Sequence, residues 1–245
     1  MNPREDVQAY MNGLRDWLKS QQDAPLEAMS DFFTARLDGY EAHMAHWRED
    51  YRRFASLFPE NARDVLDLGC GTGLELNELF LLHPGLRVTG LDLCPAMLEQ
   101  LKARHPGVRT VCGDYFEADL GRGRWDAVIS FESLHHFSPE KKADLYRRVR
   151  ESLRPGGAFM LCDYMACCDE EEALLRDTCR EKRLKEGVPE EQFVHFDTPL
   201  TVPHELELLR GAGFVDCREA EGMKDAVLLI CHAGRQCRLP DAAAG

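Results

Sequence analysis

Apolar positions along the chain alternate between two periods. In DLYRRVRESL, Leu145, Val149 and Leu153 recur every four residues, which predicts one buried helical stripe against an Arg/Glu face. CPAMLEQLKARH gives a second such helix, with Pro95 near its start and Met97, Leu98 and Leu101 as the stripe. Val65–Leu68, Val88–Leu91 and Ala127–Ser130 are short, continuous apolar runs, the pattern of strands buried on both faces. A basic residue followed by Pro-Gly and an apolar run occurs three times, from His83, His105 and Arg154, and the runs end at Asp92, Asp114 and Asp163. Pro-Gly stops a helix and turns the chain, so each phrase reads as a helix end feeding a strand. Strand–helix alternation of this kind predicts an α/β fold with a parallel sheet and helices on both faces.

Residues 1–60 read as mainly helical, with aromatics from Trp17 to Phe54. After Asp163 the pattern predicts a helix in CDEEEALLRDTCREKRLKEG, with Asp169–Glu172 as its solvated first turn. A loop-like VPEEQFVHFDTPLTVP follows, then the helix HELELLRGAGF and two strands near Val215–Glu219 and Ala226–His232. The expected organisation is a helical cap over 1–60, a main domain over 61–235 carrying a cap insertion at 165–203, and a flexible tail over 236–245.

Charge narrows the partners. The net charge of −13 over 245 residues disfavours nucleic acid, whose phosphates draw on Lys and Arg, and equally disfavours anionic membranes. A neutral or cationic small molecule, or a basic protein, suits it better. The start of the chain is polar and acidic, no apolar run approaches the roughly 18 residues of a membrane span, and the ten cysteines form no CxxC pair. The expectation is a cytoplasmic protein with reduced cysteines and no metal centre, a monomer or homodimer.

DLGCGTG places Gly69, Gly71 and Gly73 between the first strand and a helix, where backbone amides can approach a ligand at the positive helix end. The spacing is G-x-G-x-G, whereas a dinucleotide fingerprint would need glycine at Leu74. Asp92, ending the second strand, is placed to accept from both ribose hydroxyls. Asp114, ending the third and followed by Tyr115 and Phe116, is placed to accept from an adenine amino group beside a stacking ring.

DVLDLGCGTG, GLDLCPAML, CGDYFEADL, WDAVISFESLHHF and LRPGGAFMLCDY together resemble the successive motifs of class I S-adenosylmethionine-dependent methyltransferases, closely over residues 60–165. LHHF and the helical N-terminus resemble the small-molecule enzymes of the ubiquinone/menaquinone-biosynthesis type, and DTPLTVPHE resembles uncharacterised bacterial members. The resemblance implies a Rossmann-like seven-stranded sheet of order 3-2-1-4-5-7-6, its last strand antiparallel. It also implies S-adenosylmethionine (product S-adenosylhomocysteine) held by Asp67, Gly69, Cys70, Gly71, Gly73, Asp92, Leu93, Met97, Asp114, Tyr115 and Phe131.

Methyl transfer needs alignment in a dry site, and a base only where the acceptor carries a proton. The ends of strands four and five and the cap should supply those groups: His135 as base with Glu132 as second candidate, and Tyr40, His136, Tyr164 and His195 against the acceptor. The aromatics of the cap suggest an apolar or planar small molecule, or else serve the core. Competing readings are a protein or RNA methyltransferase, disfavoured by the acidity and by FESL after strand four, and a cofactor-binding regulator without transfer. A dinucleotide oxidoreductase is opposed by the glycine spacing.

Overall fold

The computed structural model describes residues 6–234; the expected tail over 236–245 lies outside them. Seven strands, β1 (Asp64–Leu68), β2 (Arg87–Asp92), β3 (Arg109–Cys112), β4 (Trp125–Phe131), β5 (Leu153–Asp163), β6 (Phe214–Glu219) and β7 (Val227–Ala233), form one sheet of order β3-β2-β1-β4-β5-β7-β6. β7 runs antiparallel to both β5 and β6, and the pairings from β3 to β5 are parallel. This is the order the motifs implied. Alternate residues of each inner strand feed opposite faces: Val65 packs with Leu76, Leu79 and Leu101, whereas Leu66 packs with Leu145, Val149 and Leu209.

The predicted helices appear as α4 (Leu74–Leu82), α5 (Pro95–Arg104), α6 (Pro139–Ser152), α7 (Asp169–Glu186) and α8 (Val202–Gly211), preceded by α1 (Val7–Ser20), α2 (Met29–Met44) and α3 (Arg48–Ser56). Local chemistry starts and stops them. The Asp6 side chain accepts from Ala9 N–H at the head of α1, Pro95 and Pro139 occupy first turns, and α7 ends at Gly187 in the left-handed region (φ 67°). β5 begins earlier than the turn expected at Arg154-Pro155-Gly156-Gly157, which is built into the strand's first residues. The Arg154 guanidinium forks between Asp64 (3.0 Å) and Asp126 (2.6 Å), tying the lower ends of β1, β4 and β5.

The expectation of a solvated Asp169–Glu172 turn is corrected. Glu171 and Glu172 are buried. Glu171 accepts from Tyr10, Tyr164 and the Cys167 N–H, and Glu172 accepts from the Thr201 N–H and pairs with His204. The helix is fastened on both sides by acids that a polar run alone would leave in water. Another buried carboxylate, Glu205, pairs with Lys142 Nζ (2.7 Å) and takes the Tyr146 hydroxyl, locking α8 to α6.

The N-terminal helices are anchored by Asp50, fully buried in α3, whose carboxylate accepts from the N–H groups of Lys224, Asp225 and Ala226 ahead of β7. Asp50→Ala leaves those donors unmet, so urea denaturation should show a loss of about 2 kcal/mol, with Asp50→Asn losing less. Equal midpoints for wild type and Asp50→Ala would contradict this anchoring. No helix among the described residues is long and apolar enough to cross a membrane.

Candidate active site

The chain reverses direction across the sheet between β1 and β4, and the carboxyl ends of these strands open into a cavity of about 670 Å³. The glycine loop and strand tips line it with Gly69, Gly71, Asp92, Leu93, Met97 and Asp114. Aromatic side chains share the wall, Phe33, Tyr40, Phe131, Phe137 and Phe193, with His136 among them. Tyr115, Glu132 and Ser133 line it as well.

The glycine loop is held closed by the acid at the tip of β2. Asp92 Oδ2 accepts from the Gly71 N–H and Oδ1 from the Cys94 N–H, both at 2.8 Å, while the Gly69 N–H donates to Leu91 O. Gly69 has φ +70°, and a Cβ there would run into the Ser133 side chain, so the loop and the β4 tip touch only because that residue has none. Asp114 caps its own turn by accepting from the Phe116 N–H at 2.7 Å. The Tyr115 ring is buried, and its hydroxyl lies 3.2 Å from Ser133 Oγ.

Beneath the loop, buried Asp67 meets no N–H or hydroxyl donor and faces only the carboxyl group of buried Glu75, one oxygen of which is likewise without a donor. Burial first, then the facing Glu75 carboxylate, hold Asp67 well above the usual carboxylate range. Glu132 stands in the left-handed region (φ 49°), rare for a residue with a side chain. It lines the cavity with an unmet oxygen, its pKa raised by burial. Asp67 and Glu75 beneath the loop and Glu132 on the cavity wall together leave four carboxyl oxygens without a donor.

The histidines diverge. His135, expected as the base, is absent from the cavity wall: its Nδ1 meets Asp163 Oδ1 at 2.5 Å and its Nε2 stands 3.5 Å from Asp197 Oδ1. Burial alone would lower its pKa, but the two carboxylates override this and hold it well above the ordinary value, as an imidazolium. His136 does line the cavity. Its Nδ1 lies 3.2 Å from Asp197 Oδ1 and 3.3 Å from the Phe196 carbonyl, which only accepts. Nδ1 therefore carries the proton and Nε2 keeps its lone pair. Burial, then the neighbouring His135 charge, lower its pKa, so it is neutral near pH 7.

Of the other expected residues, Tyr40 lines the cavity, its hydroxyl against Gly71, with its pKa raised by burial and by Glu75, Asp92 and Glu132. His195 stacks on Phe32 at 3.4 Å and is pushed down to about 3, chiefly by burial. It helps build the roof, where the Met29 N–H donates to Phe193 O and the His195 N–H to Glu27 O. Tyr164 points away, into the Tyr10–Glu171 cluster that fastens α1 to α7. Cys70 and Gly73 stand behind the main cavity, on the small space between the loop and Tyr51. Asp197, which joins both histidines, carried no chemical signal of its own in the sequence, because only the fold brings the strap over residues 193–200 to the β4 tip, where the Thr198 N–H meets His135 O.

Residues 65–157 match the family described as a methyltransferase domain. An uncharacterized methyltransferase of Oceanobacillus iheyensis is 28% identical over 160 residues, 65% of this chain and 74% of the relative. One from Synechocystis sp. is 34% identical over 116 residues, and there the chain spans about half of the relative (45% of this chain, 54% of the other). Human N-acetylserotonin methyltransferase, solved in complex with S-adenosylmethionine, superposes with a TM-score of 0.62 at 21% identity, over 81% of this chain and 56% of that one, a likeness of fold. Residues 65–157 thus form a methyltransferase domain, and the sheet order, glycine loop and strand-end acids in register are those of the class I S-adenosylmethionine-dependent type.

Proposed function

We propose that the protein transfers a methyl group from S-adenosylmethionine to a small, apolar or planar acceptor in the cytosol, and that His136 takes the acceptor's proton. The observation that carries this reading is that one cavity is lined both by Asp92 and Asp114 and by His136 with its aromatic neighbours.

The residues fit the cofactor. Asp67 and Glu132 are buried carboxyl groups with unmet oxygens, which an ammonium group beside them would hold ionised, and Asp92 has lone pairs left for ribose hydroxyls after its two backbone bonds. Asp114 and Tyr115 stand where the base would lie, with Leu93 and Met97 against the sugar. When bound, the cofactor supplies a sulfonium-activated methyl for in-line displacement. The chain's own work is alignment and exclusion of water by Phe33, Phe137 and Phe193, and proton removal at Nε2 of His136, with Asp197 fixing the tautomer. His135 is a positioning residue: its cation, between Asp163 and Asp197, keeps Asp197 ionised beside His136.

A proton-linkage experiment tests the ammonium site. Because its folded pKa is raised, Asp67 favours its protonated form, and it destabilises the free protein as pH rises above the ordinary carboxylate range. A cation placed beside it reverses that preference, so binding of S-adenosylhomocysteine should expel protons. Calorimetry near pH 6 in buffers of low and high ionisation enthalpy should therefore give different heats, and Asp67→Asn should reduce the difference. Identical heats in both buffers would overturn this assignment of the ammonium site.

A further inference from the structure

A second depression of about 1670 Å³ opens on the other side of the His136–Phe137–Phe193 wall, between the first turn of α6, the outer face of α7 and the strap. His136, Phe137 and Phe193 line both spaces, so a molecule lying in this groove has one end at the proposed base. The floor is apolar: Val188, Val194 and Leu200, with Leu184 74% exposed at the rim.

The charges on its walls depart from the chain's acidic average. Lys141, Arg176, Arg180 and Arg183 face Glu140, Glu172 and Glu190. Glu172 is consumed by the Thr201 N–H, His204 and Arg176. Three cations remain without a carboxylate partner among the described residues. Lys141 Nζ lies 4.4 Å from the Phe193 ring centroid, Arg183 bonds the carbonyls of Pro189 and Gln192 and the Cys179 side chain, and Arg180 is exposed with no side-chain bond among the described residues. In a protein of net charge −13, unpaired cations on both walls of an apolar groove are a local recognition feature rather than general solubility.

We propose that this groove binds the acceptor, and that the acceptor is an amphipathic carboxylic acid. Its apolar body lies on Phe193, Val194 and Leu200, its carboxylate sits between Lys141 and Arg180, and its nucleophilic end reaches His136. This rests on the methyltransferase reading for the chemistry at His136, but not for the groove itself. It also revises the expectation from overall charge of a neutral or cationic ligand, because the local field at the groove is what the ligand meets.

The test uses the full chain and two fluorescent probes, 11-(dansylamino)undecanoic acid and its methyl ester. The acid should bind the wild type, the ester about tenfold more weakly, as expected for loss of a charge-assisted contact. The double variant K141E/R180E should lose about tenfold for the acid and little for the ester. Its calorimetric affinity for S-adenosylhomocysteine should stay unchanged, which also shows that it folds. Equal affinity for acid and ester, no binding of the acid, or an acid affinity indifferent to the charge reversal would each overturn the proposal. Failure of the wild type to bind S-adenosylhomocysteine would instead overturn the methyltransferase reading and leave the probe result to stand on its own.

Discussion

Asp92→Ala should weaken S-adenosylhomocysteine binding by about a hundredfold or more, more than any other single change at the cofactor end. Two losses combine. The carboxylate is the group proposed to take the ribose hydroxyls, and charge-assisted bonds of that kind contribute roughly 1.5–3 kcal/mol each. It also accepts from Gly71 and Cys94 at 2.8 Å, so its removal releases the glycine loop from the tip of β2. Asp92→Asn offers one acceptor oxygen in place of two and should fall between. Calorimetry on each variant measures this, with thermal unfolding as the control for folding. An unchanged affinity in Asp92→Ala would remove Asp92 from the site.

His136→Ala should lower turnover by roughly a hundred- to ten-thousandfold on any acceptor whose proton must be removed, while the cofactor affinity stays within about twofold. The reason is the tautomer: with Nδ1–H committed to Asp197 and Phe196, Nε2 is the unprotonated nitrogen of the cavity wall. The pH profile carries the same information. Since burial and the His135 charge depress the His136 pKa, activity should be flat near neutrality and fall only on acidification below the ordinary histidine value of about 6.5. His135→Gln removes that neighbouring charge, so the acid limb should move to higher pH with a smaller loss of turnover. Equal turnover in His136→Ala, or a limb that His135→Gln leaves in place, would contradict these roles.

The sheet was legible because its inner strands are continuous apolar runs and its turns are marked by Pro-Gly, signals that act over a few residues. Gly69, Gly71, Asp92 and Asp114 were legible for a related reason: they stand at strand ends, and position along a strand fixes position in space. The acceptor end was not. His135 and His136 are adjacent in sequence, and what separates them is a 3₁₀ turn that gives one to Asp163 and the other to the cavity. Asp197 meets them from about sixty residues away, and Tyr164 is drawn off by Tyr10 and Glu171, partners supplied by helices whose packing no local pattern encodes. Burial of Glu171 and Glu172 was hidden likewise, since an acidic helix start looks the same whether or not another segment covers it.

Titration calorimetry of the purified chain shows whether the cavity between β1 and β4 is built for S-adenosylmethionine and its product. The structure predicts one-to-one binding of S-adenosylhomocysteine with a dissociation constant in the micromolar range, about −8 kcal/mol, and no comparable heat from a nicotinamide dinucleotide. Absence of binding by S-adenosylhomocysteine, or tighter binding of the dinucleotide, would contradict it.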